Sequence, residues 1–236
     1  MRNHKKDLVW EIAIHVFGIA LIALFYRNNE IMTLILAGIF LVAWRVWDKK
    51  PYDYWMIILI FILSAIEEIT CVHYGAWTYA NPNFFNIPLW IPIVYAIGLT
   101  NLIKMSHTMM QLTGRKIETP KINIPQELIF DAVIYILLVA FMALLWRHDY
   151  LATLFFVLLF IFVAYVWREE KSQLYVAYFV GLFLIFNLDL VCIPAGIWYY
   201  GKPSIFYIPF WLPFAYALGM VLAFRIGKVV TKLISE

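Results

Sequence analysis

The sequence predicts an all-α integral membrane protein of about eight transmembrane helices, built as two parallel four-helix repeats. Three observations carry this prediction. Of 236 residues, 64% are hydrophobic and 14% are charged; soluble domains run at about 45–50% apolar and about 25% charged. The apolar residues fall in continuous runs close to the length of about 20 that a helix needs to cross a bilayer. The chain also matches itself at an offset of 121 positions. This composition excludes a water-soluble enzyme, a disordered chain and a nucleic-acid binder, and the net charge of +3 is spread over short connections. A β-barrel would alternate polar and apolar residues along short strands, which these continuous runs do not.

The expected spans are roughly 8–26, 31–47, 54–73, 88–105, 127–146, 150–167, 174–193 and 207–225. The first follows a short basic start and has no small-residue cleavage site, so it reads as a retained helix. Polar connections such as Arg27 to Glu30, Asp48 to Pro51, Arg147 to Asp149 and Arg168 to Lys171 separate neighbouring spans. The chain reads as one polytopic domain over 1–236: repeat 1 at about 7–105, a linker at about 106–126 and repeat 2 at about 127–228.

Cytoplasmic connections are enriched in Lys and Arg. With a cytoplasmic N-terminus, fifteen cations fall inside, Lys104 and Arg225 among them, and only Arg27, Arg147 and Lys202 fall outside. The expectation is an integral protein of the cell (inner) membrane with both termini cytoplasmic.

The repeat is sharpest over 71–98, where 13 of 28 positions are identical to 192–219 without a gap. Cys71, Gly75, Trp77 and Tyr79 recur as Cys192, Gly196, Trp198 and Tyr200. Pro88, Trp90, Pro92 and Tyr95 recur as Pro209, Trp211, Pro213 and Tyr216. Each copy reads as the end of one span, an outward hairpin loop and the start of the next. Interfacial preference explains Trp and Tyr at this depth, but not their recurrence in register. Pro88 and Pro209 suit a helix entry, and Pro92 and Pro213 are expected to kink spans 4 and 8 one turn in.

A charged group inside a span costs at least about 2.5–3.5 kcal/mol and is a functional candidate by default. Span 3 carries Glu67 and Glu68, and span 7 carries Asp189 at the register of Glu68. Glu68, Cys71 and Gly75 share one helix stripe, as do Asp189, Cys192 and Gly196. The carboxylates are therefore expected to point into the bundle. There a buried carboxylic acid can serve as a general acid. The catalytic candidates are Glu68, Asp189 and Glu67. The substrate-binding candidates are Trp77, Tyr79, Trp90, Tyr95, Trp198, Tyr200, Trp211, Tyr216 and His73.

The bland alternative is that each carboxylate hydrogen-bonds a neighbouring helix. Glu67 and Glu68, about 100° apart on a helix, cannot both face one cavity squarely. His73 with a loose carboxylate pair falls short of a metal site, so no metal and no cofactor is expected. Cys71 and Cys192 read as small buried hydrophobes, with an interhalf disulfide as the alternative. Glu11, His15 and Asp131 lie in or near spans 1 and 5; Glu11 and Asp131, near the cytoplasmic ends, call only for snorkelling or interhelix bonding.

The run acidic-x6-Gly-x-Trp-x-Tyr, then Pro, then Ile-Pro-x-Trp-x-Pro resembles an element of membrane carotenoid-biosynthesis proteins, the small lycopene cyclases and the carotenoid hydratases. Glu68, Gly75, Trp77 and Tyr79 match in the first half, and Asp189, Gly196, Trp198 and Tyr200 in the second. The match departs at Pro88-Leu89-Trp90-Ile91-Pro92 and Pro209-Phe210-Trp211-Leu212-Pro213, where the cyclases carry Pro-x-Glu-Glu. The resemblance implies acid-catalysed cyclisation, hydration or isomerisation of an isoprenoid or other lipid-soluble substrate, with aromatic faces stabilising a cation.

Two other classes fit the same frame: a proton-coupled small-molecule transporter and a lipid-binding or assembly scaffold. An enzyme predicts a dead-end apolar pocket reaching the carboxylates. A transporter predicts polar cavities from both sides, and a scaffold predicts none. The partners expected are the lipid bilayer and a hydrophobic small molecule, with no nucleic acid. Oligomeric state is not legible in the sequence.

Overall fold

The computed structural model describes residues 3–47, 49, 53–114, 124–167 and 171–235. Its elements are α1 (His4–Phe25), α2 (Asn29–Val46), α3 (Asp53–His73), β1 (Trp77–Tyr79), α4 (Trp90–Leu112), α5 (Ile124–Leu145), α6 (Asp149–Val166), α7 (Lys171–Cys192), β2 (Trp198–Tyr200) and α8 (Leu212–Ser235). The order of three helices, a strand and a helix thus occurs twice. Much of the expected linker lies outside the described residues, but 106–112 continue α4 as helix. Arg2, Lys50, Arg115, Lys116, Lys121 and Arg168 of the cation count also lie outside them.

Caps and turns explain the boundaries. The Asn3 side chain accepts from Lys6 N–H at the start of α1, and Asn28 accepts from Glu30 and Ile31 N–H at the start of α2, satisfying first-turn donors that have no helical partner. At the end of α3, Gly75 sits at φ +80°. Gly75 N–H donates to Val72 O, and Ala76 N–H to Cys71 O. This is a Schellman ending, which selects glycine for its left-handed residue. The end of α7 repeats it, with Gly196 at φ +76°, Gly196 N–H to Ile193 O and Ile197 N–H to Cys192 O. The repeated Cys-x3-Gly spacing is the signature of this helix stop.

Six described helices are long and apolar enough to cross a membrane: His4–Phe25, Asn29–Val46, Asp53–His73, Gln126–Leu145, Asp149–Val166 and Gln173–Cys192. Leu212–Gly227 is a shorter apolar segment. The protein is an all-α membrane protein, but the expectation of eight equivalent spans is corrected by α4 and α8. These two lie innermost: α4 packs on α1, α2, α3, α7 and α8, and α8 packs on α3, α4, α5, α6 and α7. A helix sheathed by protein need not be apolar all round, because its polar residues meet polar partners instead of lipid.

Those polar residues gather toward the chain-terminal end of the bundle. Lys104, 5% exposed, meets Asp53, 0% exposed, with Nζ 2.7 and 2.8 Å from the two carboxylate oxygens. Arg225 pairs with Glu127, lies 3.5 Å from Asp131 and stacks 4.0 Å over Trp167. Neither Lys104 nor Arg225 is the loop cation that the charge count took it for. Glu11 accepts from Thr108, and Asn101 bridges Trp47 Nε1 and the Glu11 carbonyl. Interhelix bonding therefore accounts for both Glu11 and Asp131.

At the opposite end the aromatic loops are not loops alone. β1 and β2 pair antiparallel, with Trp77 opposite Tyr200, Thr78 opposite Tyr199 and Tyr79 opposite Trp198. Each strand then runs into a tight turn with two consecutive left-handed residues, Phe85 and Asn86 in one copy and Phe206 and Tyr207 in the other. Asn83 Oδ1 accepts from Leu89 N–H, and Ser204 Oγ accepts from Phe210 N–H, tying each turn to the helix that follows. The helices begin at Trp90 and Leu212. Pro92 and Pro213 therefore sit in first turns, where no intrahelical donor is lost, rather than one turn in.

Candidate functional site

Glu68 and Asp189 lie beneath the paired strands, 1% and 2% exposed. Each carboxylate is held by its own hairpin. Trp77 Nε1 and Tyr79 OH donate to Glu68 Oε2 at 2.8 and 2.6 Å. Trp198 Nε1 and Tyr200 OH donate to Asp189 Oδ1 at 3.1 and 2.8 Å. The spacing is nine and eleven residues in both halves. A Schellman stop followed by an extended strand folds residues i+9 and i+11 back over residue i. The strand's two-residue alternation aims both rings the same way.

The strand pairing interlocks the halves. Trp77 packs edge-on against Tyr200 at 5.9 Å, and Tyr79 against Trp198 at 6.0 Å. Deeper in, Tyr95 OH of α4 donates to Tyr216 OH of α8 at 3.2 Å. Glu68, Asp189, Trp77, Tyr79, Trp198, Tyr200, Tyr95 and Tyr216 thus form one cluster at the α4/α8 seam. In each carboxylate the other oxygen, Glu68 Oε1 and Asp189 Oδ2, is buried without a hydrogen-bond partner among the described residues. So are the indole N–H groups of Trp90 and Trp211. Buried polar atoms left unpaired are rare, because each carries a desolvation penalty of about 1–3 kcal/mol.

Two crevices flank the cluster. The first is narrow, about 60 Å³, and is lined by aromatic and aliphatic groups with Trp90, Asp189 and His15 as its polar points. The second, about 50 Å³, lies between α3, α5 and α8, with Glu67, Ser64 and Tyr135 as its polar points. Tyr95, Leu99 and Tyr216 form the wall shared by both. The linings correspond: Val94 and Gly98 of the first stand 121 positions from Ala215 and Gly219 of the second, and Leu188 from Glu67. His15 and Tyr135 correspond at an offset of 120.

Most of the expected site residues meet here, and two do not. His73 is exposed and stacks edge-on with Tyr74. It is the fourth residue before the hairpin's Trp77, yet it faces away because the Schellman turn reverses the chain between them. Trp211 is buried against Phe156 of α6, at 5.7 Å between rings, and lines neither crevice. Glu67 faces the second crevice while Glu68 faces the hairpin, as their angular separation requires. Cys71 and Cys192 are buried free thiols. Sequence reasoning placed His15 in or near span 1 without assigning it to the site, and it missed Tyr135. Both sit on spans of weak periodicity, so which face turns inward was not readable. Among the described residues no cluster of three or more His, Cys, Asp or Glu could hold a metal ion.

The fold and the buried cluster define a polytopic all-α integral membrane protein with a hairpin-capped core. No family model and no curated protein matches the chain. Among solved structures it is similar to MvINS, a mycobacterial Insig homologue from Mycobacterium vanbaalenii, at TM-score 0.60 and 15% identity, covering 78% of this chain and 96% of that one. A cross-linked MvINS trimer is similar at TM-score 0.59, with the same identity and coverage. At this identity the likeness concerns the fold. It overturns the resemblance to carotenoid cyclases and hydratases: the fold neighbours are Insig-like, and the hairpin motif is accounted for by helix stopping and carboxylate capping.

Proposed function

We propose that the protein binds a lipid-soluble small molecule that carries a single hydrogen-bonding end, seated in the crevices beside the capped carboxylates. The observation that carries this reading is the first crevice itself. It is apolar and aromatic, it reaches Asp189, and its lining includes a carboxylate with one oxygen, Asp189 Oδ2, and an indole N–H, that of Trp90, that have no hydrogen-bond partner among the described residues. Ligand sites are commonly concave, mostly apolar and furnished with a few placed polar groups. A hydroxyl end can both accept from Trp90 Nε1 and donate to Asp189 Oδ2. The apolar remainder lies along Ile91, Val94 and Leu102. Glu67, Ser64 and Tyr135 give the second crevice a different polar end, so the two halves select different ligands.

The same reading makes the chain one domain of two four-helix halves about an axis along the membrane normal. It is supported by two pairs of residues 121 apart: Thr78 opposite Tyr199 in the strands, and Tyr95 against Tyr216 in the helices. Both termini are cytoplasmic and the hairpins face outward in a cell membrane. Acid catalysis on the bound molecule is a second reading. It is favoured by Asp189, which lines the first crevice and keeps one carboxylate oxygen without a hydrogen-bond partner among the described residues, an oxygen that can hold and deliver a proton. A carrier path receives less support, since both crevices are lined almost wholly by apolar side chains.

Photolabelling tests the binding reading. Purified protein is exposed to a diazirine-bearing long-chain alcohol and mapped by peptide mass spectrometry. Adducts on α4 and α7 crevice residues are expected, with loss on Gly98→Leu, which fills the crevice. Labelling confined to the outer faces of α2 and α6, unchanged in Gly98→Leu, overturns it.

A further inference from the structure

The hairpin end carries three cations, Arg27, Arg147 and Lys202, on the side where the charge pattern leaves fewest. Two of the three come together. Lys202 Nζ, from the loop after β2, donates to the Arg147 carbonyl at 2.6 Å, and the Arg147 guanidinium stacks 4.7 Å from the Trp146 ring. Both side chains line an open recess at the α5/α6 turn, of about 580 Å³, together with His148, Asp149 and Ser204. The recess continues through Ile205 and Phe210 into a groove between α7 and α8 of about 550 Å³. That groove is lined by Leu182, Phe183, Phe186, Pro213 and Phe214 and is almost wholly apolar.

A cationic recess at the membrane surface that opens into an apolar groove running down a helix pair matches an amphiphile with a phosphate head and an acyl chain. Charge-assisted bonds from Arg and Lys are the strong way to hold a phosphate. Asp149 narrows the head group. Its Oδ1 is buried without a hydrogen-bond partner among the described residues, and a carboxylate beside the two cations disfavours a purely anionic head while accepting from an ammonium. The first half does not repeat this chemistry. Asn81 stands at the register of Lys202, and its amide donates to the Arg27 carbonyl at 2.7 Å, so a neutral group replaces the ammonium. The site lies away from the carboxylate crevices and shares no lining residue with them.

We propose that the recess at Arg147 and Lys202, with the α7/α8 groove below it, is a binding site for an amine-headed glycerophospholipid, its phosphodiester against the two cations and one acyl chain along Phe183 and Phe214. Native mass spectrometry of the full-length protein in mild detergent, with added palmitoyl-oleoyl phosphatidylethanolamine, tests this. A one-to-one lipid adduct is expected, and R147A/K202A should lower the bound fraction about tenfold, a loss of about 1.4 kcal/mol. Leu182→Trp, which blocks the groove, should lower it as well. R27A, a cation removed at the same end outside the recess, should leave it unchanged. D149N should reduce the preference for phosphatidylethanolamine over phosphatidylglycerol. Equal adducts in wild type and R147A/K202A overturn the proposal, as do equal adducts from a phosphate-free diacylglycerol. Displacement of the lipid by millimolar inorganic phosphate, with Leu182→Trp silent, overturns it in favour of a free-anion site. If R147A/K202A does not fold, the milder K202Q, checked by circular dichroism, carries the same comparison.

Discussion

Tyr95 and Tyr216 stand 121 residues apart in the chain and meet hydroxyl to hydroxyl at 3.2 Å, where α4 crosses α8. They are the same residue of the repeat. Their contact therefore puts corresponding residues of the two copies in the wall between the two crevices. Net hydrogen-bond contributions of about 1 kcal/mol are typical, and partners in one bond couple. Tyr95→Phe and Tyr216→Phe should each lower stability by about 1 kcal/mol, and the double variant by less than the sum. A double-mutant cycle on thermal unfolding in detergent reads this, and strict additivity would show that the hydroxyls do not bond.

The carboxylates should respond to shape and to charge differently. Glu68→Gln keeps an acceptor for Trp77 and Tyr79 and is expected to fold with a modest loss. Glu68→Leu strands two buried donors, at about 1–3 kcal/mol for each. The same contrast should hold for Asp189→Asn against Asp189→Leu. Equal unfolding temperatures for Gln and Leu at position 68 would contradict the capping role.

Gly201 sits where the strand pair closes on α3. A Cβ there would stand 2.4 Å from the Gly75 carbonyl and 2.6 Å from the Trp146 ring. Gly201→Ala should therefore destabilise by about 1–3 kcal/mol, as overpacking does. A Cβ at Gly38 in α2 would meet nothing within 4 Å among the described residues, and Gly38→Ala should stabilise by about 0.5–1 kcal/mol. Thermal melts of the pair provide the check, with opposite signs expected.

The buried Lys104–Asp53 pair should show the penalty of an uncompensated charge. Removing one partner of such a pair costs about 3–5 kcal/mol, whereas replacing both with apolar groups is often neutral. Lys104→Met should fold poorly, and Lys104→Met with Asp53→Leu should recover most of the expression and thermal stability, read by fluorescence size-exclusion chromatography.

Much of this architecture was readable because its signals are local or periodic. The Cys71 to Gly75 spacing, its copy at Cys192 to Gly196, and a carboxylate three residues ahead of each cysteine needed only helix geometry to become one stripe. What was not readable depended on partners far along the chain. Trp77 and Tyr79 were legible as repeated rings but not as donors to Glu68. Lys104 and Arg225 were legible as cations but not as buried ones, because Asp53 lies 51 residues from Lys104 and Glu127 98 residues from Arg225. His73 was chosen on proximity in sequence, and the turn at Gly75 reverses that proximity.

By itself the sequence determined the solvent, the secondary structure and the repeat. Apolar mass in long runs can be stable only in lipid, and helix is the unbranched way to satisfy its backbone there. Tertiary structure decided which helices meet lipid and which meet protein, how the hairpins pair across the halves, and where the unpaired oxygens of Glu68 and Asp189 end. Those outcomes rest on long-range packing around α4 and α8. Side chains that read identically along the chain are sorted there by what surrounds them.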